Sequence, residues 1–177
     1  MLRLRAALFI SLSIVPSFCS AEMVVQACFS PQGKCSAHIL REIEQAKKEL
    51  LVAVYALTSD ELAGALVQAK KRGVAVQVVI DREFDARTDN SKGKFFESNK
   101  IPMRRVAGTK AKSLERDAGL MHQKFAVIDR KTLFTGSYNW THSAENSNDE
   151  NLLLFRDAGP LAEEYRQAFL RLWDRKP

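Results

Sequence analysis

The chain has 177 residues, of which 46% are hydrophobic and 27% are charged, and its formal net charge is +6. These proportions are ordinary for a globular protein and argue against a wholly disordered chain, and the length predicts one domain with a single sizeable core. The positive charge favours polyanionic partners without identifying one.

The N-terminal segment, residues 1–21, has the pattern of a secretory signal peptide: two arginines, the apolar run AALFISLSIV and the small-residue end CSA. About ten apolar residues are too few to span roughly 30 Å of hydrocarbon, and a mitochondrial presequence would be amphipathic. A lipoprotein site at Cys19 fits less well, because Pro16 and Phe18 stand where small or branched residues would be expected. We therefore expect cleavage near Ala21, export to the periplasm or the medium, and a single domain over residues 22–177.

Cleavage would leave two cysteines, Cys28 and Cys35, with six residues between them. In an exported chain such a pair is expected to form one small disulfide loop. Free thiols are disfavoured by an oxidising compartment, and a zinc site would need a second pair of ligands nearby.

The next segments alternate helices and strands. Ser36 is a candidate N-cap for the amphipathic helix SAHILREIEQAKKEL, and LLVAVYAL follows as a buried strand. A second helix, SDELAGALVQAKKRG, begins at Ser59 or Asp60 and ends at Gly73, and VAVQVVI then predicts a strand that ends at Asp81. This order predicts an α/β fold with a mixed, largely parallel β-sheet sandwiched between helices in α-β-α layers.

Shorter elements complete the prediction. The carboxylates after the second strand are interleaved with arginines, which favours a solvated loop over a metal site. They are Asp81, Glu83, Asp85 and Asp89. SKGKFFESN predicts a short helix, and IPMRRVA predicts an edge strand because Pro102 lacks a ladder donor. A long basic loop at 108–119, a polar loop HSAENSNDE, a strand NLLLF and a closing helix at 160–173 are expected further along.

A hairpin at residues 121–141 brings polar groups to one end of a buried sheet. FAVI predicts a strand, DRKT a turn, and LFTGSYN the returning strand. Side chains alternate faces along a strand, so His122 and Lys124 share a direction, as do Ser137 and Asn139. Lysine, asparagine and serine can donate to phosphate oxygens, while histidine can attack phosphorus or transfer protons. This hairpin end therefore predicts a phosphate site.

The spacing H-x-K-x4-D-x6-G-S-x-N matches the HKD signature of the phospholipase D superfamily. Its positions are His122, Lys124, Asp129, Gly136, Ser137 and Asn139. The short exported chain resembles in particular the small bacterial Nuc-type endonucleases of that superfamily. Glu150, in NDENLLLF, stands where those proteins have an acidic residue that hydrogen-bonds the histidine.

The resemblance implies a phosphodiesterase that needs no metal or other cofactor and cuts DNA, and RNA too, with little sequence preference. One histidine would attack phosphorus and form a phosphohistidine, while a second would protonate the leaving oxygen and then activate water. This chain has one motif, and His38 and His142 lack the accompanying lysine and aspartate, so a homodimer that shares one site is implied. The alternative is a phospholipase D or phosphatidyltransferase acting on lipid head groups. A binding protein without catalysis is disfavoured by the intact motif.

The roles that the resemblance implies are specific. His122 would be the nucleophile in one subunit and the general acid in the other. Lys124 and Asn139 would bind phosphate with support from Ser137, and Glu150 would orient the imidazole.

Two further assignments concern support and binding. Asp129 lies an odd number of residues from His122, so on a regular strand it faces away and is expected to hold the turn or pair with a cation. Basic residues before the motif are candidates for a nucleic-acid groove that contacts the backbone rather than the bases. They are Lys92, Lys94, Arg104 and Arg105, together with Lys110, Lys112 and Arg116, which are the predicted substrate-binding residues.

Overall fold

A computed structural model describes residues 22–109 and 119–175. The predicted signal peptide and the predicted substrate-binding residues Lys110, Lys112 and Arg116 lie outside these ranges. Within them, no helix combines the length and the apolar character that crossing a membrane requires.

The described residues form seven strands and six helices. In chain order they are β1 (Val24–Ser30), α1 (Cys35–Gln45), β2 (Glu49–Val54), α2 (Asp60–Lys71), β3 (Ala75–Asp81), α3 (Arg82–Arg87), α4 (Gly93–Ser98), β4 (Met103–Val106), β5 (Lys124–Ile128), β6 (Thr132–Gly136), α5 (His142–Asn146), β7 (Glu150–Arg156) and α6 (Gly159–Trp173). The strands form one sheet in the order β1-β7-β6-β5-β2-β3-β4.

The sheet is mixed and lies between helices, as predicted. β2, β3 and β4 are parallel neighbours, whereas the pairings β1–β7, β7–β6, β6–β5 and β5–β2 are antiparallel. The parallel share is thus smaller than predicted. The physical reason is the hairpin, because a short turn can join only antiparallel strands. In addition, the residues described after β4 contain no further strand–helix–strand crossover of the β2–β3 kind.

Two apolar layers hold the helices on the sheet. α1 and α2 cover one face, with Ile39 and Leu66 among their buried side chains, and α6 covers the other face with Phe169. Fully burying one such side chain contributes roughly 1.5–3 kcal/mol. The four-residue edge strand β4 and the short helix α4 agree with the sequence prediction.

Several local elements differ from the prediction. β1 and the helix α3 were not predicted, and the polar stretch after the hairpin contains the short helix α5, whose N-cap Thr141 accepts a hydrogen bond from the Ala144 N–H. The N-cap of α1 is Lys34 in a left-handed conformation, so the assignment of Ser36 as N-cap is wrong. Cys35 begins this helix and forms a disulfide with Cys28 of β1, which ties the edge strand to the helix.

Helix α1 ends at Gln45, five residues earlier than the apolar periodicity predicts, because Asp129 binds the segment that follows. Its carboxylate accepts backbone hydrogen bonds from Lys47, Lys48 and Glu49 at 2.8, 2.7 and 3.0 Å. These N–H groups are therefore not available to continue the helix. β2 begins at Glu49 instead.

Asp129 also begins the turn between β5 and β6. Asp129 and Arg130, the first two of the three residues that join β5 to β6, both have left-handed φ angles, 50° and 58°. Positive φ at both central residues matches the twist of a hairpin turn, here closed by the Lys131 N–H, which donates to the Ile128 carbonyl. Partial burial alone would raise the pKa of the Asp129 carboxyl, but the three backbone N–H groups and the charge of Lys131 outweigh it, so its pKa is lowered. The side chain thus holds the turn to the α1–β2 connection.

Replacing Asp129 with Asn is expected to lower the free energy of unfolding by about 1–3 kcal/mol at pH 7, since the uncharged amide cannot accept all three hydrogen bonds. Asparagine tolerates the left-handed backbone, so the change isolates the carboxylate. Because the folded-state pKa is depressed below the ordinary 3.8, the stabilisation is complete above that value and is lost as pH falls through the folded-state pKa. Urea denaturation at pH 7 and at acid pH measures both effects.

The matched control is Asp89→Asn, a change at an exposed carboxylate. We expect it to leave the unfolding free energy unchanged. Equal stabilities of the wild type and Asp129→Asn at pH 7 would contradict the structural role.

Candidate active site

The hairpin places His122 and Lys124 at one end of the sheet. β5 starts at Lys124, which pairs with Val54, the last residue of β2. The Tyr55 N–H donates to the Gln123 carbonyl at 2.8 Å, so the ladder continues for one more step toward His122. The run after Lys124 is buried, as the sequence predicts for FAVI. His122 itself is exposed and Lys124 is half-buried.

Tyr55 brings the two side chains together, and sequence reasoning did not identify it. Its ring centroid lies 4.7 Å from that of His122, and the Lys124 Nζ lies 5.3 Å from the Tyr55 centroid. The same ammonium donates to the His122 carbonyl oxygen at 2.9 Å. A cation over an aromatic face is held electrostatically, so the ring fixes the ammonium beside the imidazole. The sequence feature that could have identified Tyr55 is a tyrosine at the end of an otherwise aliphatic run.

The electrostatics favour a neutral imidazole. Desolvation is the largest effect that lowers the pKa of His122, and the positive charge of Lys124 lowers it further, while Asp81 acts in the opposite direction. Burial also lowers the pKa of Lys124, and the charge of Glu150 opposes that shift. A neutral imidazole has a free ring nitrogen lone pair, which is the form that can attack phosphorus.

Ser137 and Asn139 follow β6 at the same end of the sheet. Ser137 exchanges two hydrogen bonds with Asn151: its N–H donates to the Asn151 carbonyl, and its hydroxyl accepts from the Asn151 N–H, both at 3.1 Å. Gly136 permits this close approach, because a Cβ there would lie 2.3 Å from the Asn151 carbonyl oxygen. The Asn139 Oδ1 accepts from the Ala56 N–H at 3.3 Å, which orients its amide group.

Glu150 begins β7, which is separated from β5 by β6. Two strand spacings amount to roughly 10 Å. The Glu150 carboxylate accepts a hydrogen bond from the Asn148 side chain at 3.3 Å, and no hydrogen bond joins it to His122 among the residues described. Its charge acts on Lys124 instead. The predicted role of Glu150 in orienting the imidazole is therefore not observed in the single chain.

Asp81 and Asp85 are not in a solvated loop, so that prediction is wrong for both. Asp81 is 1% exposed and accepts hydrogen bonds from the Phe84 and Met121 N–H groups, both at 2.9 Å. Asp85 accepts from the Gly93 N–H and pairs with Arg105 at 2.5 Å. Both carboxylates serve as backbone acceptors, which a charge pattern alone does not reveal. No cluster of three metal-ligating side chains occurs in the part of the chain described here.

Three of the basic residues predicted for a nucleic-acid groove contact other side chains of the protein. Lys92 pairs with Asp60 at 2.7 Å, and Arg105 pairs with both Asp85 and Glu97. The Arg104 guanidinium lies 5.4 Å from the centroid of the Trp173 ring. Hence these cations are constrained by neighbouring side chains, which local sequence patterns did not show.

Comparison with known proteins decides the family. A family model described as "Cardiolipin synthase, PLD-like domain" matches residues 39–173. The chain belongs to the phospholipase D superfamily. A protein named Phospholipase D from Rickettsia prowazekii (strain Madrid E) is 32% identical over 143 residues, which cover 81% of this chain. The match spans 64% of the Rickettsia protein, just under two thirds of its length.

Two solved structures are similar to this chain over nearly their whole length. Nuc, a phospholipase D family member from Salmonella typhimurium, has a TM-score of 0.75 and 30% identity, with 86% of this chain and 95% of Nuc covered. NucT from Helicobacter pylori has a TM-score of 0.79 and 26% identity, with 86% and 97% covered. The predicted membership of the phospholipase D superfamily, with a likeness to Nuc-type proteins, is confirmed, and so is the predicted mixed sheet between helices.

Replacing Lys124 of this phospholipase D-like site with Gln is expected to raise the pKa of His122, because a neighbouring positive charge disfavours the imidazolium. Titration of the His122 ring by NMR measures the change directly. Lys131→Gln, in the turn at the opposite end of β5, is the matched control and is expected to leave that pKa unchanged. An unaltered His122 pKa in Lys124→Gln would show that the ammonium does not act on the imidazole.

Proposed function

We propose that the chain is an endonuclease that hydrolyses phosphodiester bonds of DNA, and of RNA, without a metal ion and with little sequence preference. The observation that carries the proposal is the contact of His122 and Lys124 with one tyrosine ring, beside an oriented Asn139 amide. The nearly whole-length likeness to Nuc and NucT supports nucleic acid as the substrate, since the sequence resembles Nuc-type endonucleases. The positive net charge favours a polyanion as well.

The site can perform the chemistry in two steps. The neutral His122 imidazole attacks phosphorus, the bond from phosphorus to the leaving oxygen breaks, and a protonated second histidine gives that oxygen its proton. The second histidine then takes a proton from water, whose oxygen attacks phosphorus and releases His122. Lys124 and the Asn139 amide donate hydrogen bonds to the phosphoryl oxygens, where negative charge develops.

The second histidine is proposed to come from a second copy of the chain. Neither of the other histidines carries the motif: His38 lies on α1, and His142 is exposed at the start of α5. A two-fold axis through the site would supply two copies of His122 and Lys124. The proposal is therefore a homodimer with one shared site.

An apolar face of β1 is the surface that we propose for this dimer contact. Val25 and Phe29 are 51% and 66% exposed and point to the same face of the sheet as α6. α6 packs over β2, β3, β5 and β6, so within residues 22–109 and 119–175 this face of β1 is open. Phe29 lies opposite Asn151, the residue that holds Ser137, so the open face adjoins the site. If a second copy of the chain packs against this face, the apolar surface that it buries lies next to the His122 of that second copy.

Phospholipase D or phosphatidyltransferase activity on lipid head groups is the second candidate. The description of the matching family and the name of the Rickettsia relative support it. The same histidine chemistry serves both substrates, so the site itself does not distinguish nucleic acid from lipid.

We further propose that the protein acts after export, with residues 1–21 removed.

The substrate is tested by incubating the mature protein with plasmid DNA, RNA and phospholipid vesicles in parallel, with chelator present. We expect DNA and RNA to be cleaved, and His122→Ala to reduce turnover by at least about 10³-fold because nucleophile and acid are lost together. His142→Ala is the matched control and should retain activity. Release of lipid head groups with both nucleic acids intact would replace the nuclease proposal with the lipid alternative.

The dimer is tested by replacing Phe29 with Glu, which places a charge on the open face of β1. We expect a monomer in sedimentation and a loss of activity, since burying an unpaired carboxylate is costly. Val24→Glu is the matched control, because Val24 is 52% exposed on the other face of the same strand. A dimeric, active Phe29→Glu protein would move the contact elsewhere, whereas an active monomer would refute the shared site.

A further inference from the structure

Asp81 occupies a buried position between three segments of the chain. It ends β3, is 1% exposed, and divides its two oxygens between the Phe84 N–H at the start of α3 and the Met121 N–H before β5. No lysine or arginine pairs with it among the residues described. A buried carboxylate is costly unless its oxygens are hydrogen-bonded, so both donors are held firmly in place.

The hydrogen bond between the Met121 N–H and Asp81 positions His122 through the main chain. Met121 is 2% exposed and directly precedes His122. Its N–H is fixed by the Asp81 Oδ2, and the Tyr55 N–H fixes the carbonyl of Gln123 on the other side. The exposed His122 thus lies between two anchored neighbours, which limits where its ring can go.

The hydrogen bond between the Phe84 N–H and Asp81 positions His122 through two aromatic rings. Asp81 is the N-cap of α3, and the helix carries Phe84. The Phe84 ring centroid lies 5.3 Å from that of Tyr55, whose own centroid lies 4.7 Å from that of His122. Tilted ring pairs at such distances are attractive, so the cap at Asp81 supports the ring against which the imidazole packs.

Asp81 also adds a negative charge near the imidazole. Lys124 on β5 and Asp81 on β3 act on His122 with opposite signs, while Tyr55, directly after β2, contributes its ring. Glu150 on β7 acts on Lys124. Asp81 is therefore the carboxylate that favours the imidazolium, the form required when a histidine donates its proton to a leaving oxygen.

We propose that Asp81 is a positioning residue for the reaction: it fixes His122 through the Met121 N–H and the α3 cap, and its charge stabilises the imidazolium of the general-acid step. The proposal rests on the proposed function in that His122 is the reacting group. It adds a buried partner that the HKD motif does not contain.

The test replaces Asp81 with Asn, which keeps one acceptor oxygen and removes the charge. We expect the pKa of His122, followed by NMR of its ring, to shift downward, and kcat on bis(4-nitrophenyl) phosphate to fall by roughly 10–100-fold with little change in KM. The chain has three histidines, so His122→Ala identifies the resonance. Asp85→Asn, at the other backbone-binding carboxylate of this segment, should leave the His122 pKa unchanged.

An unchanged His122 pKa in a folded Asp81→Asn protein would overturn the proposal. If that variant does not fold, Phe84→Leu is decisive, because it breaks the ring contact at a half-buried side chain and leaves Asp81 in place. We then expect a several-fold loss of kcat, and full activity would overturn the part of the proposal in which the α3 cap fixes His122. The NMR titration does not depend on turnover. If the pKa of His122 shifts in Asp81→Asn but the wild-type protein cleaves no nucleic acid, the role of Asp81 is supported and the nuclease proposal is rejected.

Discussion

The antiparallel pairing of β5 with β2 is the constraint on which the candidate site depends. Because the two strands run in opposite directions, the start of β5 meets the end of β2, and Lys124 lies opposite Val54. β3 runs parallel to β2, so its last residue, Asp81, finishes at the same end of the sheet. A fully parallel arrangement would carry the histidine to the far end, away from both Tyr55 and Asp81.

This arrangement also sets the charge balance of the site. His122 is exposed, yet it is surrounded on the protein side by a cation, an aromatic ring and a buried carboxylate. The cation favours the neutral ring and the carboxylate favours the protonated one. In the proposed mechanism His122 attacks in one subunit and donates a proton in the other, and this requires both forms to be accessible near neutral pH.

The sequence predicted those parts of the site that depend on spacing within one hairpin. The HKD pattern, the buried run FAVI and the glycine next to Ser137 are all local, and the structure has the hairpin where it was expected. Contacts between distant segments were not predicted. Asp81 binds Met121 across 40 residues and Asp129 binds Lys47 across 82, and neither contact leaves a periodic signal in the chain. The apolar periodicity predicted too long a helix α1 for the same reason. Asp129, whose carboxylate binds the backbone N–H groups after Gln45, is far away in the sequence.

The place of Asp129 changes how loss-of-function variants of the motif should be interpreted. His122 precedes β5 and Asp129 follows it, so the two side chains are separated by the whole strand, roughly 20 Å of extended chain. The three letters of the motif therefore do not form one chemical unit. An inactive variant at Asp129 would report on the anchoring of a loop to a turn, and it would be recovered by lower temperature or a stabilising background. An inactive variant at His122 would not be.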